Sequence, residues 1–407
     1  MTKGPEMVAK HGGFSLDAVL AYHAAFDLAT WEVAEDAAYF FLRTEEFFPH
    51  AVIARSGAIA ALPEAPRPEV SAVEAVATTG RMTLDELVAE GPVAGWVVVH
   101  RGEVVWERYP RMRPFDRHLC WSVTKTFPAA LVAMLEGEGR VDVREPIEAY
   151  LPELAGTAWA GTPVIDVLDM ASGIDCPEVD DADAYTDASS LFYPYEAALG
   201  LLPAGPDTPR LPHDYVASLR RSRPSGEAYE YTSVNTFVIG WLVEELEGRP
   251  FAEIVGERIW RRMGAEADAA VIVSPAGVAA THGGISATLR DLARWGILHT
   301  PSWNRVSAEP VLVAAYLAAI QTGGRPAIFD RAGQGRDMIR LLGGERPRHN
   351  TYQWDFVMPD GDHFKSGFRG QGLYVSPSRD LVAAWVGTQE VGQVAFARAL
   401  AVSGLLG

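Results

Sequence analysis

Ser122 and Lys125 stand three residues apart in Trp121-Ser-Val-Thr-Lys125, ahead of an apolar helical run. A hydroxyl is a poor nucleophile until a base removes its proton. At a helix start, a spacing of three puts both side chains on one face, within hydrogen-bond reach. A lysine desolvated among other cations can lose its proton near neutrality and act as that base. The chemistry implied is attack on a carbonyl carbon to give an acyl-serine. S-x-x-K also arises by chance, with the serine as a solvated helix cap, so the tetrapeptide alone leaves both readings open.

Two further segments decide between them. One is Tyr229-Glu-Tyr231-Thr-Ser233-Val-Asn235, leading into the helical run from Trp241; the other is Lys365-Ser366-Gly367-Phe368-Arg-Gly-Gln371, leading into Gly372-Leu-Tyr-Val-Ser376. In this order and company the chain resembles the serine β-lactamase and penicillin-recognising superfamily. It is most similar to class C β-lactamases, their esterase relatives and 6-aminohexanoate-dimer hydrolases, which carry S-x-x-K, then Y-x-N, then K-T-G or H-x-G. Asp166-Val-Leu-Asp-Met-Ala-Ser172-Gly173 and Gly283-Gly-Ile-Ser-Ala-Thr288-Leu-Arg-Asp291 resemble further stretches of that family, and the likeness runs from about Phe40 to Leu400.

The resemblance implies an α+β fold: an antiparallel sheet flanked by helices, plus a mostly helical subdomain. It implies Ser122 as nucleophile, Lys125 as base and Tyr231 as second proton relay, the last requiring ammonium groups that lower the phenol's pKa. The backbone N–H groups of Ser122 and Phe368 would form the oxyanion hole. Lys365 would supply positive potential and orient substrate, Ser366 would donate a hydrogen bond, and Gly367 would let the strand approach closely.

Departures from the pattern matter. Ser233 replaces the asparagine of Y-x-N, with Asn235 two residues on, and one hydroxyl cannot serve two separated points as an amide does. Recognition of a β-lactam amide is therefore in doubt. Pro128 sits inside the expected nucleophile helix and implies a kink or a late start. His282 either lines the site or is structural. Trp121, Asp175 and the aromatics Tyr185, Phe192, Tyr193 and Tyr195 either shape an acyl pocket or pack a lid. Cys120 reads as an inert buried thiol.

The positioning elements follow from periodicity. Residues 1–70 form an N-terminal extension, with a helix from Leu16 to Trp31 and a proline-rich link at Pro63, Pro66 and Pro68. Residues 94–109 read as a hairpin turning at Arg101-Gly102. Ser122 to about Glu138 is helical, and strand-like runs return at Ala270, Gly372 and Leu381 before a helix near Gln393. A sheet domain from 71–140 plus 271–407, a helical part from 141–270 and a lid-like loop at 175–228 are expected, with the active site between them.

Composition bounds the partners. A formal net charge of −18 opposes nucleic acid and anionic lipid. Two cysteines cannot build a disulfide framework, and no apolar run reaches signal-peptide or membrane-span length, so a cytoplasmic chain is expected. No G-x-S-x-G, H-E-x-x-H, C-x-x-C or G-x-x-x-x-G-K-[ST] motif occurs, so neither a cofactor nor a metal is expected. The expected partner is a small-molecule ester or amide, and a homodimer stays open. The expected activity is hydrolysis through the acyl-serine. Acyl transfer, β-lactamase or D-amino-acid peptidase activity, and a non-enzymatic binding protein are the alternatives.

Overall fold

The computed structural model describes residues 14–33, 36–331 and 339–407. Strand Val93–His100 is buried along its whole length, as its apolar run dictates for a strand covered on both faces. It turns through Arg101 and Gly102, both at positive φ (52° and 75°), into Glu103–Arg108. Two successive left-handed residues match the right-handed twist of the paired strands, and glycine takes one of them without steric cost.

That hairpin forms one edge of a seven-stranded antiparallel sheet. The order continues through Leu381–Gly387, Gln371–Ser376, His363–Gly367, Trp354–Val357 and His349–Thr351. The two ends of the chain thus build one sheet, with Trp96 stacked on Trp385 across the join (4.6 Å). Alternation sorts its side chains: Val97, Val99, Leu373 and Val382 pack with Leu292 and Trp295 of helix Leu289–Ile297. Trp96, Val98, Tyr374 and Ala383 pack with Phe396 and Leu400 of helix Gln393–Val402.

A smaller sheet, ordered His50–Ile53, Ala269–Ile272, Ile285–Ala287 and His118–Leu119, delivers the chain to Ser122. Residues Trp121–Lys125 then form a 3₁₀ turn, and the α-helix starts late, at Thr126–Gly137. Pro128 therefore falls in the first α-helical turn, where a missing N–H costs least. The long middle segment is less of a pure loop than expected, since it folds helices Tyr193–Leu199 and Pro212–Ser218.

The N-terminal helix is shorter than expected, spanning Leu16–Ala25. Asp27 stops it: its side chain accepts from Ala29 N and its carbonyl from Trp31 N, closing a turn instead of another helical one. Trp31 is nonetheless buried and stacks on Trp121 (5.3 Å). No helix among the described residues is long and apolar enough to cross a membrane.

Candidate active site

Trp121 takes φ +47°, a left-handed conformation that a bulky residue adopts only under constraint. The constraint is packing: its indole lies among Trp31, Phe41 and Phe368. Strand His363–Gly367 presses on the same turn, and a side chain at Gly367 would come within 2.7 Å of the Cys120 carbonyl and 3.2 Å of Trp121 Cβ. Glycine is thus required for the approach that sets Ser122 against Lys365, Ser366 and Gly367.

Lys125 is fully buried behind the partly exposed Ser122. Its Nζ lies 3.0 Å from Ser122 Oγ and donates to Ser233 Oγ (2.8 Å) and to the His282 carbonyl (2.9 Å). Burial pulls its pKa down to about 7, helped by the Lys365 ammonium and opposed by the Glu178 and Glu196 carboxylates. Lys125 therefore exchanges its proton near neutrality. Ser233, standing where the resembled motif has asparagine, touches Lys125 through a single hydroxyl.

Tyr231 lies between the two ammonium groups, with Lys125 Nζ 5.2 Å and Lys365 Nζ 4.8 Å from its ring centre, and accepts from Lys365 (3.3 Å). The expected lowering of its pKa is not found. Burial pushes the phenol well up, joined by the Asp355 and Glu178 carboxylates, while its hydrogen bond with Ser122 opposes them. Tyr231 is held as the neutral phenol in this arrangement rather than as a phenolate.

A cavity of about 360 Å³ opens over Ser122. Trp121, Ser122, Tyr231, Ser233, His282, Ser366, Gly367 and Phe368 all line it. Asp175 and Asn235 do not: the Asp175 backbone N–H donates to the Arg220 carbonyl, and Asn235 is buried in helix Ser233–Glu247. His282 lines the cavity while its ring is held from behind, Nδ1 by Tyr195 OH (2.9 Å). Its Nε2 is 3.0 Å from Glu196 Oε1, close but not aligned as a hydrogen bond.

The aromatics of 175–228 divide between the two readings. Tyr185 lines the cavity and stacks on Phe368 (5.9 Å), whereas Phe192 and Tyr195 are buried beneath it and Tyr193 bonds the Pro203 carbonyl. Cys120 and Cys176 are free, buried thiols whose pKa values burial raises, Cys120 to about 12.

Three carboxylates on the cavity wall were missed by sequence reasoning: Glu178, Glu196 and Asp355. Glu178 accepts from Ser233 N (2.5 Å) and Tyr185 OH (2.9 Å). Asp355 binds Lys365 Nζ (2.5 Å), Ser366 N (2.7 Å) and Ser366 Oγ (2.5 Å). No short motif marks Glu178 or Glu196, but Asp355 had a signal: it is the one charged residue of the apolar run Trp354-Asp-Phe-Val357, a hairpin's length from Lys365.

A half-buried serine on a buried lysine, a tyrosine bridging two lysines, and a glycine strand closing over the turn define a serine hydrolase. The chain belongs to the Beta-lactamase family, whose model matches residues 81–405. It is 29% identical over 370 residues to a 6-aminohexanoate-dimer hydrolase of Paenarthrobacter ureafaciens, covering 87% of this chain and 86% of that one. Among solved structures, a putative 6-aminohexanoate-dimer hydrolase from Bacillus anthracis superposes with a TM-score of 0.78 at 21% identity, covering 94% of this chain and 97% of that one. A penicillin-binding protein homologue from Caulobacter crescentus gives 0.55 at 16% identity, covering 79% and 95%. The two solved structures speak to the fold alone.

Proposed function

We propose that the protein hydrolyses a small-molecule ester or amide through an acyl-enzyme on Ser122. The observation that carries this reading is the 3.0 Å contact between Ser122 Oγ and a buried Lys125 whose pKa is drawn to about 7. Neutral Lys125 takes the hydroxyl proton as Oγ bonds to the carbonyl carbon. The carbonyl oxygen becomes an oxyanion between the N–H groups of Ser122 and Phe368. Tyr231 then protonates the leaving oxygen or nitrogen as its bond to carbon breaks, which leaves a transient phenolate beside the Lys365 ammonium while Lys125 keeps the serine's proton. Deacylation runs the same relay in reverse, with water in place of the leaving group.

Matched p-nitrophenyl esters, anilides and linear amides test this reading. The dimer of 6-aminohexanoate, named for the Paenarthrobacter relative, is the first amide to include. Turnover of at least one class is expected, with loss of all of it in Ser122→Ala. Product analysis with added alcohols and amines separates hydrolysis from acyl transfer, and transfer outrunning hydrolysis would remove the hydrolase assignment. Wild-type rates in the Ser122 variant would sink the mechanism.

A further inference from the structure

Lys365 and Ser366 are the residues expected to present a cation and a hydroxyl donor to substrate, yet both are already engaged. Strand pairing of Phe356 with Phe364 sets Asp355 across from Lys365. One Asp355 oxygen lies 2.5 Å from Lys365 Nζ, and the other accepts both the N–H and the Oγ–H of Ser366. The lysine side chain is 0% exposed and the aspartate 3%, so water does not screen the pair.

The rest of the wall carries the same sign. Glu178, Glu196 and Asp355 line the cavity, and His282 is the sole basic residue among the described residues that line it. Lys125 spends its donors on Ser233 Oγ and the His282 carbonyl, with Ser122 Oγ as its third contact. An anionic group entering here would meet carboxylates, and would have to displace Asp355 from three hydrogen bonds to reach the ammonium.

We propose that Asp355 is a specificity-determining residue. By holding Lys365 and both donors of Ser366, it closes this strand to anions, so the site accepts esters and amides that are neutral or cationic overall and turns away those of net negative charge. Specificity here rests on repulsion and blocked donors as much as on attraction. The inference rests on the acyl-serine reading above.

The test compares three p-nitrophenyl esters of similar size: hemisuccinate (anionic), butyrate (neutral) and 4-trimethylammoniobutyrate (cationic). Wild-type kcat/KM should be lowest for the anionic ester. In Asp355→Asn and Asp355→Ser, the anionic-to-neutral ratio should rise by at least about tenfold. Ratios cancel the general loss of rate that a displaced Lys365 would cause, which a merely structural role predicts to be equal for all three esters. Folded variants with unchanged ratios would overturn the proposal. So would a wild type that takes the anionic ester as well as the neutral one, and this arm decides the matter even if neither variant folds. Inactivity of the wild type on all three would instead overturn the acyl-serine reading, and this inference with it.

Discussion

As the proposed base, Lys125 is buried at a cost to the fold. Its folded pKa of about 7 lies below the ordinary lysine value of 10.5. The unfolded chain therefore binds more protons between those values, and stability gained from this group rises with pH across the window. Below about pH 7 both states are protonated and the full penalty of burying an ammonium is present. Lys125→Met should accordingly abolish turnover while raising the thermal midpoint relative to wild type, and by more at pH 6 than at pH 9. In wild type, kcat/KM should climb through an acid limb near pH 7 as Lys125 loses its proton. A pH-independent stability difference, measured by calorimetry at the two pH values, would contradict this account of Lys125. The grouping of Ser122, Lys125, Tyr231 and Lys365 in one site was the most legible feature, because they occur in the spacing and order of a known motif set. Tyr231's protonation was not legible, since burial sets it first and Asp355 and Glu178 add to it from elements distant in sequence.

At the scale of elements, the nucleophile turn is held from two sides. The N-terminal segment places Trp31 against Trp121, and Trp31 Nε1 donates to the Leu201 carbonyl (3.2 Å), tying the extension to the end of helix Tyr193–Leu199, which carries Glu196. Trp31→Ala should cost about 3–5 kcal/mol of stability, the usual range for emptying a buried tryptophan site. It should also lower kcat, because Trp121 loses a ring that holds its left-handed backbone. Urea denaturation and steady-state kinetics on the same preparation check both, and unchanged kcat would detach the extension from catalysis. Element boundaries were partly legible. Pro128 signalled the late helix start through its missing N–H, and Arg101-Gly102 marked a real hairpin turn. The helix from Leu16 overran because apolar periodicity continues to Trp31 while the stop signal, Asp27, acts by a local side-chain bond that periodicity does not see. Asp355 went unread because facing Lys365 depends on strand register, which becomes apparent only once the hairpin is formed.

At the scale of the whole molecule, strands from both ends of the chain close one sheet around a helical middle, and buried polar ties hold these parts together. Asp169, at the end of helix Val164–Leu168, is one such tie. It accepts from Arg325 Nη2 (2.9 Å), Thr351 Oγ1 (2.8 Å) and Tyr352 N (3.2 Å), joining the middle segment to the edge strand His349–Thr351. Arg325 is 35% exposed and keeps Asp166, so the loss falls on the buried donors Thr351 Oγ1 and Tyr352 N, and Asp169→Ala should cost about 1–3 kcal/mol. Chemical denaturation followed by two probes would measure it, and a loss under about 1 kcal/mol would show that the tie is dispensable. The return of strand-like runs after residue 270 made the single sheet legible. The acidity of the cavity was not, because Glu178, Glu196 and Asp355 are far apart in a chain that is acidic throughout.

The central claim is a covalent bond between Ser122 and the acyl group of the substrate. Trapping with a fluorophosphonate, followed by intact mass and peptide mapping, tests it most directly. The account predicts one adduct per chain, on the peptide carrying Ser122, and none in Ser122→Ala. An adduct on another residue, or an unlabelled wild type that still turns over ester, would contradict it.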